Sequence, residues 1–185
     1  MRDAPGTTPI RPVVVADAGP LIGLARITQL ALLPRLFGTV AVTSWVAQEV
    51  LAGGDFPDKI ALQDAFDRGW LQTADMAGTT PELLQARCRD LINLHQIDMG
   101  EATALVLAQQ LRAQGVMPLL LIDDHRGRQA ARHSGITTIG TAGLLLLAKE
   151  AGAVNAVKPL LLELRENGYF LAERLIATVL EQTGE

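Results

Sequence analysis

Two short runs of apolar residues each lead directly into acidic residues, and this feature constrains the fold more than any other. Residues 13–16 are three valines and an alanine before Asp17, and residues 119–122 are three leucines and an isoleucine before Asp123 and Asp124. Apolar runs of this length are typical of strands buried on both faces of a sheet. Other short apolar segments alternate with helical patterns, which predicts an α/β fold with a parallel sheet.

The same patterns predict the other elements of the chain. Three more strands are expected at residues 39–43, 70–73 and 136–139. Helices are expected at 19–25, 29–37, 44–51 with Ser44 as the cap, 58–68, 81–94, 98–114, 127–133, 142–151, 157–166 and 171–182. Residues 1–12 contain three prolines and are expected to form a flexible lead-in.

The composition fits one folded domain over residues 13–185, with a core at 13–140 and C-terminal helices at 141–185. The chain has 185 residues, of which 49% are hydrophobic, which excludes an intrinsically disordered protein. The formal net charge of −4 argues against nucleic-acid binding through bulk positive charge alone.

Cysteine usage and the N-terminal sequence predict a cytoplasmic protein. Cys88 is the single cysteine, so an intramolecular disulfide and a zinc site of cysteine pairs are both excluded. The first residues lack the apolar stretch of a signal peptide, and no apolar run is long enough for a membrane span.

Acidic residues fall where such a sheet would place a ligand site. In open parallel sheets, ligands bind beyond the carboxyl ends of the strands, and there Asp17 would meet Asp123 and Asp124. Glu49, in the helix after the second strand, and Glu101, in the first turn of a later helix, could join them. The joint pattern predicts one cluster of carboxylates.

Each acid also has a structural alternative when it is considered alone. Asp17 could cap the following helix, and Glu49 could be a solvated helix residue. Asp98 and Glu101 have the spacing of a capping box. The acidic pair after residue 122 could be a helix cap and a turn residue.

Clustered carboxylates repel one another, so they need raised pKa values or a cation. Carboxylate oxygens in small number suit Mg²⁺ or Mn²⁺, which complete their coordination with water and substrate phosphate oxygens. Such ions activate water for phosphodiester cleavage.

Four short motifs carry these acids along the chain. They read VVVADAGPLI around Asp17, VAQEV around Glu49, DMGEA around Glu101 and LLIDD at the acidic pair. In this order and spacing, together with residues 126–143, they resemble the PIN domain and, within it, prokaryotic proteins related to VapC-type toxins. The resemblance implies a three-layer α/β/α fold with a central, mostly parallel sheet of about five strands and a C-terminal helical extension.

The resemblance also implies a ribonuclease that depends on Mg²⁺ or Mn²⁺. The acidic site would contain Asp17, Glu49, Glu101 and one of the pair Asp123 and Asp124. Asp17, Glu101 and Asp123 would bind the metal, and Glu49 would complete the pocket. Asp123 is favoured because it directly follows the strand, and Asp124 remains the alternative.

Two positions depart from the family pattern. Many members carry Ser or Thr two residues after the first Asp, where this chain has Gly19. The Thr that is common two residues before the last acid is replaced by Leu121 or Ile122, depending on which acid is the last one. Thr141, in a turn after a strand, is a candidate substitute for the missing hydroxyl.

The remaining candidates concern substrate and partners. His125, Arg126 and Arg128 could contact a phosphate backbone or could form a solvated helix start. The expected function is cleavage of single-stranded RNA by the toxin of a type II toxin–antitoxin pair. The alternatives are a catalytically weakened binding or regulatory module and another Mg²⁺-dependent phosphoesterase.

The C-terminal helices are richer in leucine than one amphipathic stripe requires, at residues 144–147 and 160–164. We expect these leucines to be buried within the domain. A homodimer interface and a binding site for a small antitoxin protein are the alternatives, and no membrane contact is expected.

Overall fold

The structure is a computed structural model that describes residues 12–52, 57–74, 76 and 78–185. The predicted lead-in lies outside the described residues, apart from Pro12. The strands are β1 (Val13–Ala16), β2 (Val40–Val42), β3 (Leu71–Thr73), β4 (Pro118–Leu121) and β5 (Thr137–Ile139). The helices are α1 (Ala18–Arg26), α2 (Leu32–Phe37), α3 (Ser44–Leu51), α4 (Pro57–Asp67), α5 (Pro81–His95), α6 (Met99–Ala113), α7 (His125–His133), α8 (Thr141–Glu150), α9 (Lys158–Glu166) and α10 (Glu173–Thr183).

The five strands form one sheet in the order β3-β2-β1-β4-β5. Every neighbouring pair is parallel, so the sheet is fully rather than mostly parallel over the described residues. The central strand β1 pairs with β2 on one side, where Val14 lies opposite Val40, and with β4 on the other, where it lies opposite Leu119. The three-layer α/β/α fold is confirmed.

The two faces of the sheet are covered by different helices because successive side chains of a strand point to opposite faces. Val14 and Ala16 pack into a cluster with α1 to α4 and α8 to α10. Val15 packs into a second cluster with α5, α6 and α7. The uninterrupted apolar sequence of β1 therefore reflects burial on both faces.

Local signals fix the starts of the helices next to the sheet edge. Thr43, and not Ser44, caps α3, because the Thr43 hydroxyl accepts a hydrogen bond from the Val46 amide at 3.2 Å. Asp98 caps α6 in a complete capping box: its carboxylate accepts from the Glu101 amide at 2.9 Å, and the Glu101 carboxylate accepts from the Asp98 amide at 3.1 Å.

Several predicted boundaries shift by a few residues. The helix predicted from residue 29 begins at Leu32, because the chain turns at Thr28, whose φ of +54° lies in the left-handed region. The helix predicted from residue 127 begins at His125, because Asp124 caps it. Strand β4 ends at Leu121, although the Ile122 amide still donates to the Ile139 carbonyl at 2.9 Å.

The C-terminal helices pack onto the cluster that contains Val14. Leu144, Leu145, Leu161 and Leu164 are fully buried there. Much of the leucine-rich sequence of these helices is therefore buried in the hydrophobic core. Among the described residues, no helix combines the length and apolar character needed to cross a membrane.

Candidate functional site

The sheet has its topological switch point between β1 and β4. The strand that follows β1 in sequence, β2, lies on one side of this pair, and the strand that follows β4, β5, lies on the opposite side. A crevice therefore opens at the carboxyl ends of β1 and β4. Asp17 directly follows β1, and its amide donates to the Leu121 carbonyl at 3.0 Å. Asp123 follows β4 two residues later, so the two predicted acids stand at the same crevice.

Gly100, at the start of α6, lies among three carboxylates. A Cβ added to this glycine would lie 3.0 Å from Oε2 of Glu49 and 3.3 Å from Oδ1 of both Asp17 and Asp98. Sequence reasoning had assigned Asp98 only to the capping box. The structure shows that the same carboxylate also faces Asp17 and Glu49.

A pair of threonines holds α3 and α6 together next to this cluster. The hydroxyls of Thr43 and Thr103 are buried and lie 2.9 Å apart, and Thr103 donates to the Gly100 carbonyl at 2.9 Å. This link fixes the start of α3, which carries Glu49, against the first two turns of α6.

Glu101 lies on the inner side of the cluster, where only 6% of its surface is exposed. Its Oε1 lies 3.3 Å from the position that a Cβ would occupy at Gly127 of α7. The pKa of Glu101 is raised to about 7, mainly by burial and also by the charges of Asp98, Asp124 and Asp17, while the hydrogen bond from the Asp98 amide acts in the opposite direction.

Asp17 has a similar electrostatic environment. It is 8% exposed, and burial raises its pKa to about 7, with the charges of Asp98 and Glu49 contributing. The amides of Ala18 and Gly19 partly offset this rise, but the Asp17 carboxylate makes no capping hydrogen bond to α1. The pKa of Glu49 is raised by partial burial and by Asp98.

Asp123 is held differently from the other acids. Its Oδ1 accepts from the Thr141 amide at 2.8 Å, and its Oδ2 accepts from the Thr141 hydroxyl at 2.5 Å and from the Tyr169 hydroxyl. The Thr141 hydroxyl thus contacts one of the predicted site acids, while its role as a substitute for the family hydroxyl stays a prediction. Arg128 donates to the backbone carbonyl of Asp123, so it contacts the main chain next to the site.

Asp124 serves as the cap of α7. Its Oδ1 accepts from the amides of Arg126 and Gly127 at 2.6 and 3.0 Å. His125 and Arg126 are exposed at the start of this helix, and Arg126 donates to the Gln96 carbonyl at 3.3 Å. Asp123 thus faces α8, and Asp124 lies on the side of Glu101.

Tyr169 is a second residue whose place at the site the sequence patterns did not predict. It lies between α9 and α10, outside any regular element, and therefore belongs to no periodic pattern. Its ring covers Gly23, and its hydroxyl lies 3.8 Å from the position that a Cβ would occupy at Gly19. The sequence does carry one signal for this contact, the pair Gly19 and Gly23, which lie one turn apart on α1. Two such glycines leave a helix face without side chains, which a side chain from another element must cover.

The donor chemistry of the cluster suits a hard divalent cation. Its side chains offer carboxylate oxygens, and within the described part of the chain no Lys or Arg forms an ion pair with them. Among the described residues, no group of three or more Asp, Glu, His or Cys side chains is arranged so that it could hold a metal ion. The carboxylate oxygens match such an ion in chemical type. Both oxygens of Asp123, in contrast, accept hydrogen bonds from Thr141 or Tyr169.

One groove in the described part of the chain lies away from the clustered acids. It has a volume of about 860 Å³ and is lined by residues of α1, α2 and α4 and by Trp70, next to the amino end of β3. It contains none of the clustered acids, so its size does not bear on the chemistry of the site.

Comparison with known proteins gave one match. A family model described as a PIN domain matches residues 13–185. Comparisons with curated proteins and with solved structures found no match.

Proposed function

Because this chain belongs to the PIN domain family, we propose that it is an endoribonuclease that cleaves single-stranded RNA with Mg²⁺ or Mn²⁺. PIN domains are generally nucleases, and such nucleases typically use divalent metal ions. The observation that carries the proposal is the set of three carboxylate oxygens around Gly100, beside buried Glu101, at the switch point of the sheet.

The proposed roles follow from where each acid lies. Asp17 and Glu101 are the most buried acids, and Glu49 and Asp98 face Gly100 from the exposed side. These carboxylates would hold the cation, and the hydrogen-bonded Asp123 would flank them as the predicted third ligand. A bound Mg²⁺ or Mn²⁺ supplies an activated water and offsets negative charge at the phosphate.

The surface next to the acids supports a single-stranded substrate. Trp45 is 49% exposed and lies one helical turn before Glu49 on α3, so both occupy the same face of that helix. An exposed indole next to a phosphodiester site can stack on an unpaired base. Arg126, exposed at the start of α7, would add a phosphate contact.

A role as the toxin of a toxin–antitoxin pair is the finer part of the proposal. Its support is the resemblance of the four acidic motifs to VapC-type proteins. Induced expression in a bacterial host should then stop growth, and expression of Asp17→Asn should not. Relief of the arrest by a small protein encoded by the adjacent reading frame would identify the antitoxin.

An RNA cleavage assay tests the proposed activity. We expect the protein to cut an unstructured oligoribonucleotide with Mg²⁺ or Mn²⁺, to stop when a chelator is added, and to leave the same sequence intact when it is base-paired. Absence of cleavage with retained Mn²⁺ binding would instead indicate a binding module. Hydrolysis of small phosphoesters without RNA cleavage would indicate a different phosphoesterase.

A further inference from the structure

The segment after α9 brings one aromatic side chain to the acidic site from outside the sheet edge. Gly168, with a φ of +80°, turns the chain at the end of α9, and the Tyr169 amide then donates to the Leu164 carbonyl at 2.9 Å. Leu164 is fully buried. The backbone of Tyr169 is thus attached to the core, although its neighbour Phe170 is 91% exposed.

The face of α1 next to the site is shaped for this ring. A Cβ at Gly23 would lie 2.7 Å from Cε2 of Tyr169 and 3.1 Å from Cδ2, closer than side-chain carbons normally approach. The ring therefore occupies the space that a side chain at this position would fill.

The hydroxyl of Tyr169 contacts one acid of the site and lies near a second. It donates to Oδ2 of Asp123 and lies 3.4 Å from the Thr141 hydroxyl. The position of a Cβ at Gly19 is 3.8 Å from this hydroxyl and 3.7 Å from Oδ2 of Asp17, so the phenol and Asp17 both border this glycine. Asp123 and Asp17 therefore share the phenol as a common neighbour.

We propose that Tyr169 is a positioning residue of the acidic site, whose hydroxyl fixes the orientation of the Asp123 carboxylate and thereby sets the affinity of the site for a divalent cation. The inference rests on the proposed metal-dependent activity. It follows from hydrogen bonding, since ligand carboxylates depend on the groups that hold them in place. It also gives the C-terminal helices a direct contact with the catalytic edge of the sheet.

The single tyrosine of this chain allows a direct spectroscopic test. In protein labelled with ¹³C at the tyrosine Cζ, one resonance reports on Tyr169. We expect Asp123→Asn to shift it and the exposed control Asp90→Asn to leave it in place. We expect Mn²⁺, which is paramagnetic, to broaden the resonance, and Mg²⁺ to leave it sharp.

The variant Tyr169→Phe keeps the ring on Gly23 and removes only the hydroxyl. We expect its Mn²⁺ affinity in calorimetry to fall about tenfold, the typical effect of losing a group that holds a metal ligand. We expect kcat for RNA cleavage to fall with little change in KM. Phe170→Leu, which alters the neighbouring exposed aromatic, should match the wild type in both measurements.

The outcomes separate this inference from the proposed function. If the wild type binds Mn²⁺ and cleaves RNA, but Tyr169→Phe does both equally well or Mn²⁺ leaves the resonance sharp, the inference is wrong and the function stands. If the wild type neither binds Mn²⁺ nor cleaves RNA, the proposed function fails together with the part of the inference that concerns affinity. In that case the response to Asp123→Asn decides whether Tyr169 positions Asp123.

Discussion

The ring of Tyr169 lies against the backbone of Gly23, where an added Cβ would be 2.7 Å from the ring carbon Cε2. The contact joins the segment after α9 to α1, which starts directly after Asp17. A glycine inside a helix ordinarily lowers its stability by roughly 0.5–1 kcal/mol relative to alanine. At this position the cost is offset by room for an aromatic ring.

Gly23→Ala should therefore destabilise the protein despite the better helix propensity of alanine. We expect the free energy of unfolding in urea to fall by about 1–3 kcal/mol, because the added methyl group must displace the ring. The matched control is Gly19→Ala on the same helix, where the new Cβ meets atoms only at 3.7 and 3.8 Å. Stability of Gly19→Ala should stay within about 0.5 kcal/mol of the wild type, and an equal loss in both variants would contradict the packing described.

Gly100→Ala should separate activity from stability. The added methyl group would lie 3.0–3.3 Å from oxygens of Glu49, Asp17 and Asp98 and would occupy space among the carboxylates that a cation needs. We expect the melting temperature in circular dichroism to change little, while Mn²⁺ binding in calorimetry and RNA cleavage are both lost. Retained Mn²⁺ affinity would show that the ion binds away from Gly100.

The raised pKa values predict how stability depends on pH when divalent metal is absent. The pKa of Asp17 and that of Glu101 are about 7 in the folded protein, against about 4 for these side chains in an unfolded chain. Between these values the folded state binds more protons, so the free energy of unfolding should decrease as pH rises from about 4 to about 7 and then level off. Urea titrations at pH 5 and pH 8 measure the difference.

Asp17→Asn provides the check on that pH dependence. It removes one of the two titrating groups, so the loss of stability between pH 5 and pH 8 should become smaller than in the wild type. The exposed control Asp90→Asn should keep the full loss. A variant Asp17→Asn with the same pH dependence as the wild type would show that the Asp17 carboxylate titrates normally.

Trp45→Ala should weaken binding of single-stranded RNA. The indole is 49% exposed, so its removal costs the fold little, whereas loss of one stacked base costs about 1–3 kcal/mol. We expect KM for an oligoribonucleotide to rise by about tenfold with kcat nearly unchanged. Leu94→Ala, at an exposed site on α5, is the control, and an unchanged KM for Trp45→Ala would exclude base stacking at this residue.

The parts of this site that follow regular elements could be predicted from the sequence. An apolar run that ends in an acid fixes both the strand and the position of the acid at its carboxyl end, which is why Asp17 and Asp123 were expected at one edge. Spacing in the first turn of a helix likewise identified the capping box of Asp98 and Glu101, and the structure confirms it.

Features set by tertiary packing were beyond the sequence patterns. Tyr169 follows a turn and is placed by the shape of α1, so no local periodicity marks it. Asp98 was explained as a cap, and its proximity to Asp17 and Glu49 depends on how α3 packs on α6. Thr43 and Ser44 are both good caps by residue type, and only the hydrogen bond to Val46 decides between them.

The central claim, that the carboxylates at the switch point form a metal-dependent ribonuclease site, is tested most directly by Asp17→Asn. Cleavage of one unstructured oligoribonucleotide is measured with Mn²⁺ under single-turnover conditions for the wild type, Asp17→Asn and Asp90→Asn. We predict that the wild type and Asp90→Asn cleave at the same rate, and that Asp17→Asn is slower by about a hundredfold or more, because metal stabilisation of the transition state is worth several kcal/mol. Equal cleavage by the wild type and by folded Asp17→Asn would contradict the account.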